Sequence, residues 1–286
     1  MHSKILVICA TGKIGVELVK LLNKDGLNVR AAARNPSAAS GLFPSQVEIV
    51  EFDYERPETF AKAVKGVDKI FLMARPGDNH SDKAAAPLID EAKKQGVKHI
   101  VNLTAFGVEK DESFMLRILE RYLEDSDIHY THLRPNWYMQ NFNTGSMLAD
   151  IRLTGSLHLP AGDAKVSFID ARDIAAAGAV VLENDHHFGK AYTLTGGEAL
   201  DHFQVVKFIS RAAHKNISYV PISDESARAV LSEMGVAVDQ IERWSEFFRK
   251  VRSGFCTPVF DDLEKILERP PLGFHQYAID YAASWN

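Results

Sequence analysis

A loop near the amino terminus carries two glycines at a spacing that suits the binding of an anionic phosphate group. The segment KILVICATGKIGVELVKLL places Gly12 and Gly15 between an apolar run and an amphipathic run. Glycine lets the backbone approach a ligand closely, and the free N–H groups at the start of a helix attract negative charge. Because the loop lies between a predicted strand and a predicted helix, we expect it to hold the pyrophosphate of a dinucleotide rather than to be a relic of such a site.

Cys9 occupies the first position of this G-x-x-G-x-x-G pattern, where a glycine usually makes the turn. A Cβ atom is tolerated at that position while φ stays negative. Cys9 is therefore expected to be a small buried residue, and a redox-sensing thiol is the alternative. Cys256 is the only other cysteine, so the chain has neither a disulfide scaffold nor a C-x-x-C metal spacing. The sequence favours a reducing compartment and predicts no metal site.

A basic residue ends the second predicted strand. In NAD-binding proteins an acidic residue about 20 residues beyond the glycines binds the ribose 2′-hydroxyl. Here Arg34 holds that place and is followed by Asn35 and Ser37. All three side chains suit a 2′-phosphate, so the sequence favours NADP(H), with NAD(H) as the alternative; an arginine at a solvated helix start is the competing interpretation. Asp53, just past the third strand, can bind the adenine amino group or cap a helix before Pro57.

The elements that must position these residues alternate between apolar strands and amphipathic helices. Gly26, Gly66 and Gly96 each stand where a helix end needs a left-handed residue, directly before an apolar run. Such apolar runs are typical of parallel strands covered on both faces. We therefore predict an α/β fold with a doubly wound parallel sheet of the Rossmann type. Its strands are expected near residues 4–9, 28–33, 47–51, 69–74, 98–104 and 128–133.

The alternation ends after the sixth strand, where glycine and proline divide the chain into short apolar pieces. We predict an NAD(P)-binding domain over residues 1–138, to which a strand and a helix at 166–195 can add. A smaller substrate lobe is expected to make up most of residues 139–286. Within that lobe, residues 201–214 and most of 224–268 are predicted to be helical.

The composition excludes several functional classes. Of 286 residues, 46% are hydrophobic and 25% are charged, which is typical of a globular protein and unlike collagen, disordered or coiled-coil chains. The formal net charge of −5 gives no global basic field, so neither nucleic acid nor membrane is an expected partner. No apolar run approaches the ~18 residues of a membrane span. We expect a cytoplasmic protein with a small-molecule substrate, and a homodimer is possible.

Seven short segments spread over nearly the whole chain form a recognisable pattern. They are ATGKIG, RNP, FDYERPETF, GVKHIVNLTA, YTHLRPNWYMQNF, FIDARDIA and YTLTGGEAL. Together they resemble the NmrA-like branch of the atypical short-chain dehydrogenase/reductases, which includes triphenylmethane reductase, type 2 quinone oxidoreductases and ergot-alkaloid dehydrogenases. The resemblance implies a Rossmann-type domain that binds NAD(P).

The resemblance also implies that the segment after the sixth strand, which begins at Pro135, lies beside the nicotinamide and the substrate. The residues expected to line this hydride site are Asn136, Trp137, Tyr138 and Asn141. From residue types alone, Trp137, Tyr138 and Phe142 can equally be core. The expected cofactor contacts are Ala10, Thr11, Gly12, Lys13, Ile14, Gly15, Arg34, Asp53, Ala74 and Thr104.

The acid–base pair of the short-chain dehydrogenases is missing. These enzymes usually carry Tyr-x-x-x-Lys, but no tyrosine of this chain has a lysine four residues later, and the helix ESFMLRILERYLEDS offers only Tyr122. Carbonyl–alcohol redox and sugar-nucleotide epimerisation need that pair, whereas hydride transfer to a quinone or a conjugated cation does not. The sequence predicts an NAD(P)H-dependent reductase of such a molecule. The alternatives are a non-catalytic NAD(P)-sensing regulatory protein that binds a protein partner and, with less support, a structural dimerisation module.

Overall fold

Strands and helices alternate along residues 3–75 and 80–286, the part of the chain that the computed structural model describes. The strands are β1 (Lys4–Val7), β2 (Asn28–Ala33), β3 (Glu48–Glu51), β4 (Lys69–Met73), β5 (His99–Leu103), β6 (His129–Pro135), β7 (Ser156–Leu159), β8 (Lys190–Leu194) and β9 (Ser218–Pro221). The helices are α1 (Lys13–Lys24), α2 (Pro36–Ala39), α3 (Phe60–Val64), α4 (Ser81–Lys94), α5 (Met115–Glu124), α6 (Gly145–Thr154), α7 (Ala171–Glu183), α8 (His202–Ala213), α9 (Asp224–Glu233), α10 (Val238–Arg252), α11 (Asp262–Leu267) and α12 (Phe274–Asp280).

Seven strands form one parallel sheet in the order β3-β2-β1-β4-β5-β6-β8. The predicted doubly wound Rossmann-type fold is confirmed, and each of the six predicted strands lies within about two residues of an observed one. The strand order reverses beside β1, because the chain moves from β1 outward to β3 and then returns to β4 on the other side. Ligands of such sheets bind outside the carboxyl ends of the strands at this point.

The chain divides into two compact units. The first consists of residues 1–135, 171–194 and 262–269, and the second of residues 136–170, 195–261 and 270–286. The first segment of the first unit ends at residue 135, and the predicted domain boundary was at residue 138. The unit takes in α7 and β8 from the segment 166–195, whose residues 166–170 and 195 belong to the second unit, and it also takes in α11, which the sequence placed in the other lobe.

Apolar packing explains the helices of the first unit. Helix α1 buries Ile14, Leu18 and Leu22 at helical spacing, and it packs on α7 beside the sheet. The predicted helix-end glycines Gly26 and Gly66 have φ of +76° and +70°, a conformation that suits a residue without a Cβ. Every residue of β5 is buried, including the polar His99 and Asn102.

The second unit has an aromatic core and a two-stranded parallel sheet of β7 and β9. Its largest fully buried side chains are Phe142, Phe168, Phe248, Phe274, Tyr277 and Trp285. Within residues 3–75 and 80–286, no helix has both the length and the apolar character required to cross a membrane.

Candidate functional site

The glycine loop joins β1 to α1 as the sequence predicted. Gly12 is the N-cap of α1, and it has no side chain that could accept a hydrogen bond from the backbone N–H groups of the first turn. Those backbone N–H groups and the positive end of the helix dipole are therefore directed at the loop, which suits a pyrophosphate. Among the predicted contacts, Thr11 and Lys13 are exposed, whereas Ala10 and Ile14 are buried, so the latter two offer backbone groups only.

The two loop glycines leave a cradle that other residues would fill. A Cβ atom on Gly15 would lie 2.3 Å from the Cys9 carbonyl oxygen and 2.6 Å from the Ala10 Cα atom, so only glycine fits there. A Cβ atom on Gly12 would lie 3.3 Å from the same Cys9 oxygen. The close approach of backbone to backbone is the geometry that a dinucleotide loop requires.

Cys9 has a left-handed backbone, with φ of +54°. The expectation of a negative φ was therefore wrong, because the turn from β1 into α1 needs the conformation that glycine usually provides at this position. The residue is half-buried rather than buried, and its Sγ lies 3.7 Å from the Met73 carbonyl oxygen. Burial raises the pKa of the thiol to about 11, although Arg34 acts in the opposite direction. The thiol is thus protonated at neutral pH, which makes it a poor nucleophile.

Arg34 follows β2 directly and is exposed. Within the described residues, no hydrogen bond or ion pair engages its guanidinium group. Asn35 caps helix α2, because its Oδ1 accepts a hydrogen bond from the Ala38 N–H at 3.1 Å. Ser37 lies exposed in the same short helix. The competing interpretation, a residue at a solvated helix start, therefore applies to Asn35. The Arg34 side chain is available to bind an anion.

Asp53 organises the turn after β3. Its Oδ1 accepts a hydrogen bond from the Glu55 N–H at 3.0 Å, so the carboxylate serves local structure, and the predicted contact to adenine remains a prediction. The neighbouring Tyr54 donates its hydroxyl hydrogen to the Met73 carbonyl oxygen at 2.9 Å. Sequence reasoning passed over Tyr54, although it lies in the quoted FDYERPETF segment. Ala74, buried, comes directly after β4 on the same edge of the sheet.

The segment after β6 belongs to the second unit, and its predicted site residues differ in their surroundings. The Asn136 amide is buried and donates to the Ser167 hydroxyl and to the Cys256 carbonyl, both at 2.8 Å, so it holds backbone segments together. Asn141 is half-buried. Their roles at the hydride site remain predictions.

Trp137 and Tyr138 provide aromatic surface in this segment. Trp137 is 9% exposed, with its ring centroid 5.0 Å from that of the partly exposed Phe247 and 5.6 Å from that of the buried His202. Tyr138 is half-buried, and no described residue forms a hydrogen bond with its hydroxyl group. Burial raises the pKa of this phenol above its usual value. Trp137 is thus part of the aromatic core, as the alternative interpretation allowed, while remaining beside an exposed ring.

Helix α5 does not carry an acid–base pair. Tyr122 is 40% exposed and donates to Asp90 on α4 at 2.6 Å, which makes it a contact between two surface helices. The inner face of α5 instead presents Arg117 and Glu120, and Glu120 has no exposed surface. Sequence reasoning missed this pair, because charges three residues apart on a helix are typical of a solvent-exposed face.

Glu120 is the centre of a buried network of charges. Arg134 donates from Nε to Oε1 at 2.9 Å and from a terminal nitrogen to Oε2 at 2.8 Å. Arg117 donates to Oε2 at 2.7 Å, and the Thr104 hydroxyl donates to Oε1 at 2.9 Å. Burial alone would raise the pKa of Glu120, but the hydrogen bonds and charges of the two arginines hold it below its usual value. The carboxylate is therefore ionised.

A cluster of possible metal ligands in this network is filled by arginine. Ligand atoms of Glu120, Glu124 and His132 lie within 4.8 Å of one another. Arg117 donates to Glu120 at 2.7 Å and to Glu124 at 3.1 Å, so its guanidinium group lies where a cation would have to bind. The positive charge that these carboxylates need is thus supplied by the chain itself.

Residues 1–254 match the sequence profile of the NmrA-like family. The chain belongs to this family. It is 33% identical to an NAD(P)H azoreductase of Xenophilus azovorans over 99% of both chains. It is 28% identical to quinone oxidoreductase 2 of Escherichia coli over 81% of this chain and 82% of that protein. The solved structure of a Citrobacter triphenylmethane reductase superposes with a TM-score of 0.83 at 25% identity, covering 97% of this chain and 99% of that one.

The family membership confirms the resemblance seen in the sequence. In this NmrA-like chain the carboxyl edge of the first unit carries the glycine loop, Arg34, Ala74 and Thr104, each directly after a parallel strand. The second unit carries the aromatic segment that follows β6.

Proposed function

We propose that this NmrA-like protein is an NADPH-dependent reductase that transfers hydride to a quinone-like or conjugated small molecule. The observation that carries the proposal is the exposed Arg34 guanidinium at the end of β2, which no described residue engages and which lies on the sheet edge that also holds the glycine loop. An arginine there binds a 2′-phosphate with charge-assisted hydrogen bonds, whereas an acidic residue would bind the free ribose hydroxyl.

The residues of the first unit fit the cofactor group by group. The amino end of α1 and the cradle at Gly12 and Gly15 suit the pyrophosphate, and Arg34 suits the 2′-phosphate. When bound, NADPH supplies the hydride. The work of the protein is then to hold cofactor and acceptor at a productive distance and orientation.

The substrate class is supported by the way two hydroxyl groups of the first unit are already bonded. Tyr122 is bonded to Asp90, and the Thr104 hydroxyl gives its hydrogen to Glu120. An acceptor that stabilises its own added charge needs no acid from the protein. The three relatives, named for azo compounds, a quinone and triphenylmethane dyes, support this class because all of these are conjugated acceptors.

The test is cofactor consumption by the purified protein with a panel of quinones, azo dyes and triphenylmethane dyes, alongside calorimetric binding of NADPH and NADH. We expect turnover with NADPH preferred. Arg34→Ala should weaken NADPH binding about 10- to 150-fold, since a charge-assisted bond is worth roughly 1.5 to 3 kcal/mol, and should leave NADH nearly unchanged.

Arg211→Ala on α8 is the matched control, because it also removes an exposed arginine, but one that lies in the second unit and not in the first. It should change neither affinity. Equal losses for the two cofactors in Arg34→Ala would refute the assignment of Arg34. Tight NADPH binding without turnover of any acceptor would favour the sensor alternative.

A further inference from the structure

The Thr104 hydroxyl has a fixed hydrogen-bond polarity. Thr104 is the residue after β5 and is 6% exposed. Its hydroxyl donates to Glu120 Oε1 at 2.9 Å, and the Leu133 carbonyl oxygen, also an acceptor, lies 3.5 Å from the same oxygen atom. An ionised carboxylate accepts hydrogen bonds and cannot donate. The hydroxyl therefore keeps only its lone pairs for any other partner, so it can accept a hydrogen bond but cannot supply one.

The buried network keeps this polarity from reversing. Three arginine hydrogen bonds, two from Arg134 and one from Arg117, hold Glu120 in place and ionised. They join Arg134 on β6 and Arg117 on α5 to the carboxylate that accepts the Thr104 hydroxyl hydrogen. A rotation of the hydroxyl hydrogen away from Glu120 would leave a buried carboxylate oxygen with one bond fewer, which is costly in a region without solvent.

A hydrogen-bond acceptor at the end of β5 can bind a group of the cofactor but not the polar atoms of the expected substrates. In a doubly wound sheet the half formed by β4, β5 and β6 takes the second mononucleotide of the dinucleotide, here the nicotinamide nucleoside. The carboxamide of that nucleoside carries N–H donors. Quinone carbonyls and azo nitrogens present lone pairs only, and two acceptors do not bind each other.

We propose that Glu120 is a positioning residue that fixes Thr104 as a hydrogen-bond acceptor for the carboxamide N–H of the nicotinamide. This inference rests on the proposed function, because it takes NADPH as the ligand of the first unit. It assigns the Thr104–Glu120–Arg134 network to cofactor orientation and denies Thr104 a role as proton donor.

The test compares Thr104→Val, which removes the hydroxyl at nearly constant shape, with Thr104→Ser, which keeps it. The measurement is calorimetric binding of NADPH and of its 3-acetylpyridine analogue, which keeps the ribose hydroxyls but has no amide N–H. We expect Thr104→Val to weaken NADPH about 3- to 10-fold, as for one hydrogen bond, and the analogue less than twofold. Thr104→Ser should resemble the parent protein with both ligands.

Glu120→Gln tests the positioning role, because the glutamine amide can donate to Thr104 and release the hydroxyl hydrogen. NADPH binding should fall, but by no more than in Thr104→Val because the hydroxyl keeps one lone pair, and the double variant should fall no further than Thr104→Val. If Glu120→Gln does not fold, the comparison of Thr104→Val with Thr104→Ser still decides whether Thr104 binds the carboxamide.

Equal losses for both ligands in Thr104→Val, or an unchanged NADPH affinity with only a lower melting temperature, would overturn the proposal and make the network structural. Failure of the parent protein to bind NADPH at all would instead overturn the proposed function, and this inference with it.

Discussion

At the scale of single residues, the loop shows that a chain can place a non-glycine residue where the fold asks for glycine. Cys9 takes φ of +54°, which costs a residue with a Cβ roughly 1 to 2 kcal/mol. Gly15, in the same loop, cannot be replaced in this way, since a Cβ atom there would lie 2.3 Å from the Cys9 carbonyl oxygen. Strain at one position is thus tolerated, whereas a steric clash at the other is not.

Cys9→Gly should therefore stabilise the protein. Relief of the left-handed strain outweighs the added freedom of the unfolded chain, so we expect a gain of about 0.5 to 1 kcal/mol in the free energy of unfolding by urea titration. NADPH affinity should change less than tenfold. Cys9→Ser, which keeps the Cβ atom, is the control and should bring no gain. A loss of stability in Cys9→Gly, or loss of a peroxide response in the intact fold, would give the thiol a role.

The sequence predicted residue identities at this site better than their conformations. The exchange of an acidic residue for Arg34 is visible in the chain itself, and the structure leaves that side chain exposed. The positive φ angle of Cys9 could not be predicted from the sequence. Cysteine only rarely adopts positive φ, and nothing in the motif indicates that it does so here. A missing glycine in a glycine loop is better taken as strain than as a change of backbone path.

At the scale of elements, helix α5 and the segment after β6 carry the residues whose roles are in question. Helix α5 supplies the Glu120 network, while the segment after β6 supplies Trp137 and Tyr138. The strands were predictable because their apolar runs are local in sequence. The network was not, because Thr104, Glu120 and Arg134 meet only once β5, α5 and β6 have packed together.

The element-scale prediction concerns the chemistry of these two segments. If the acceptor carries its own electron sink, Tyr122→Phe and Tyr138→Phe should keep most of kcat, since each removes only a hydroxyl group. Trp137→Ala should lower kcat/KM, because it removes the ring beside Phe247 that can present a planar substrate. The measurement is steady-state kinetics with NADPH and the best acceptor of the panel.

Trp137→Phe is the control for lost packing, because removal of a buried tryptophan side chain also costs about 3 to 5 kcal/mol of stability. It should retain more kcat/KM than Trp137→Ala at a temperature where both variants are folded. A drop of more than about 100-fold in kcat for Tyr138→Phe would contradict the mechanism and make Tyr138 the proton donor. Its raised pKa keeps that proton in place at neutral pH, so the outcome is chemically meaningful.

At the scale of the whole molecule, three fully buried histidines connect stability to pH. Burial lowers the pKa of His99 to about 3 and the pKa values of His132 and His202 to about 4. His132 lies 3.4 Å from Glu124, which partly offsets its burial, whereas the His202 ring nitrogens have no hydrogen-bond partner among the described residues. The burial of these histidines could not be predicted from the sequence, because it depends on which strands and aromatic rings pack around them in the fold.

The sign of the effect follows from linkage. A histidine whose pKa is lower in the folded state than the ordinary value of about 6.5 binds its proton more readily when the chain is unfolded. Stability is therefore fully present above pH ~6.5 and is lost as pH falls toward 4 for His132 and His202 and toward 3 for His99. Each such group contributes at most about 1.4 kcal/mol per pH unit, so the three together give a slope of up to about 4 kcal/mol per unit. Urea unfolding at pH 7.5, 6, 5 and 4.5 measures this slope.

His202→Phe should separate one of the three contributions. Its ring lies among Trp137, Phe142, Phe168 and Tyr219, so phenylalanine suits the surroundings and leaves no buried nitrogen without a partner. We expect the variant to be at least as stable as the parent at pH 7.5 and to lose about one third of the dependence of stability on pH.

The histidines also lie in different units, His202 in the second and the other two in the first. A single unfolding transition that becomes two at pH 5 would therefore show that the units lose stability separately. Constant stability of the parent between pH 7.5 and 5 would contradict the linkage altogether, since it would require the buried histidines to titrate as they do in the unfolded chain.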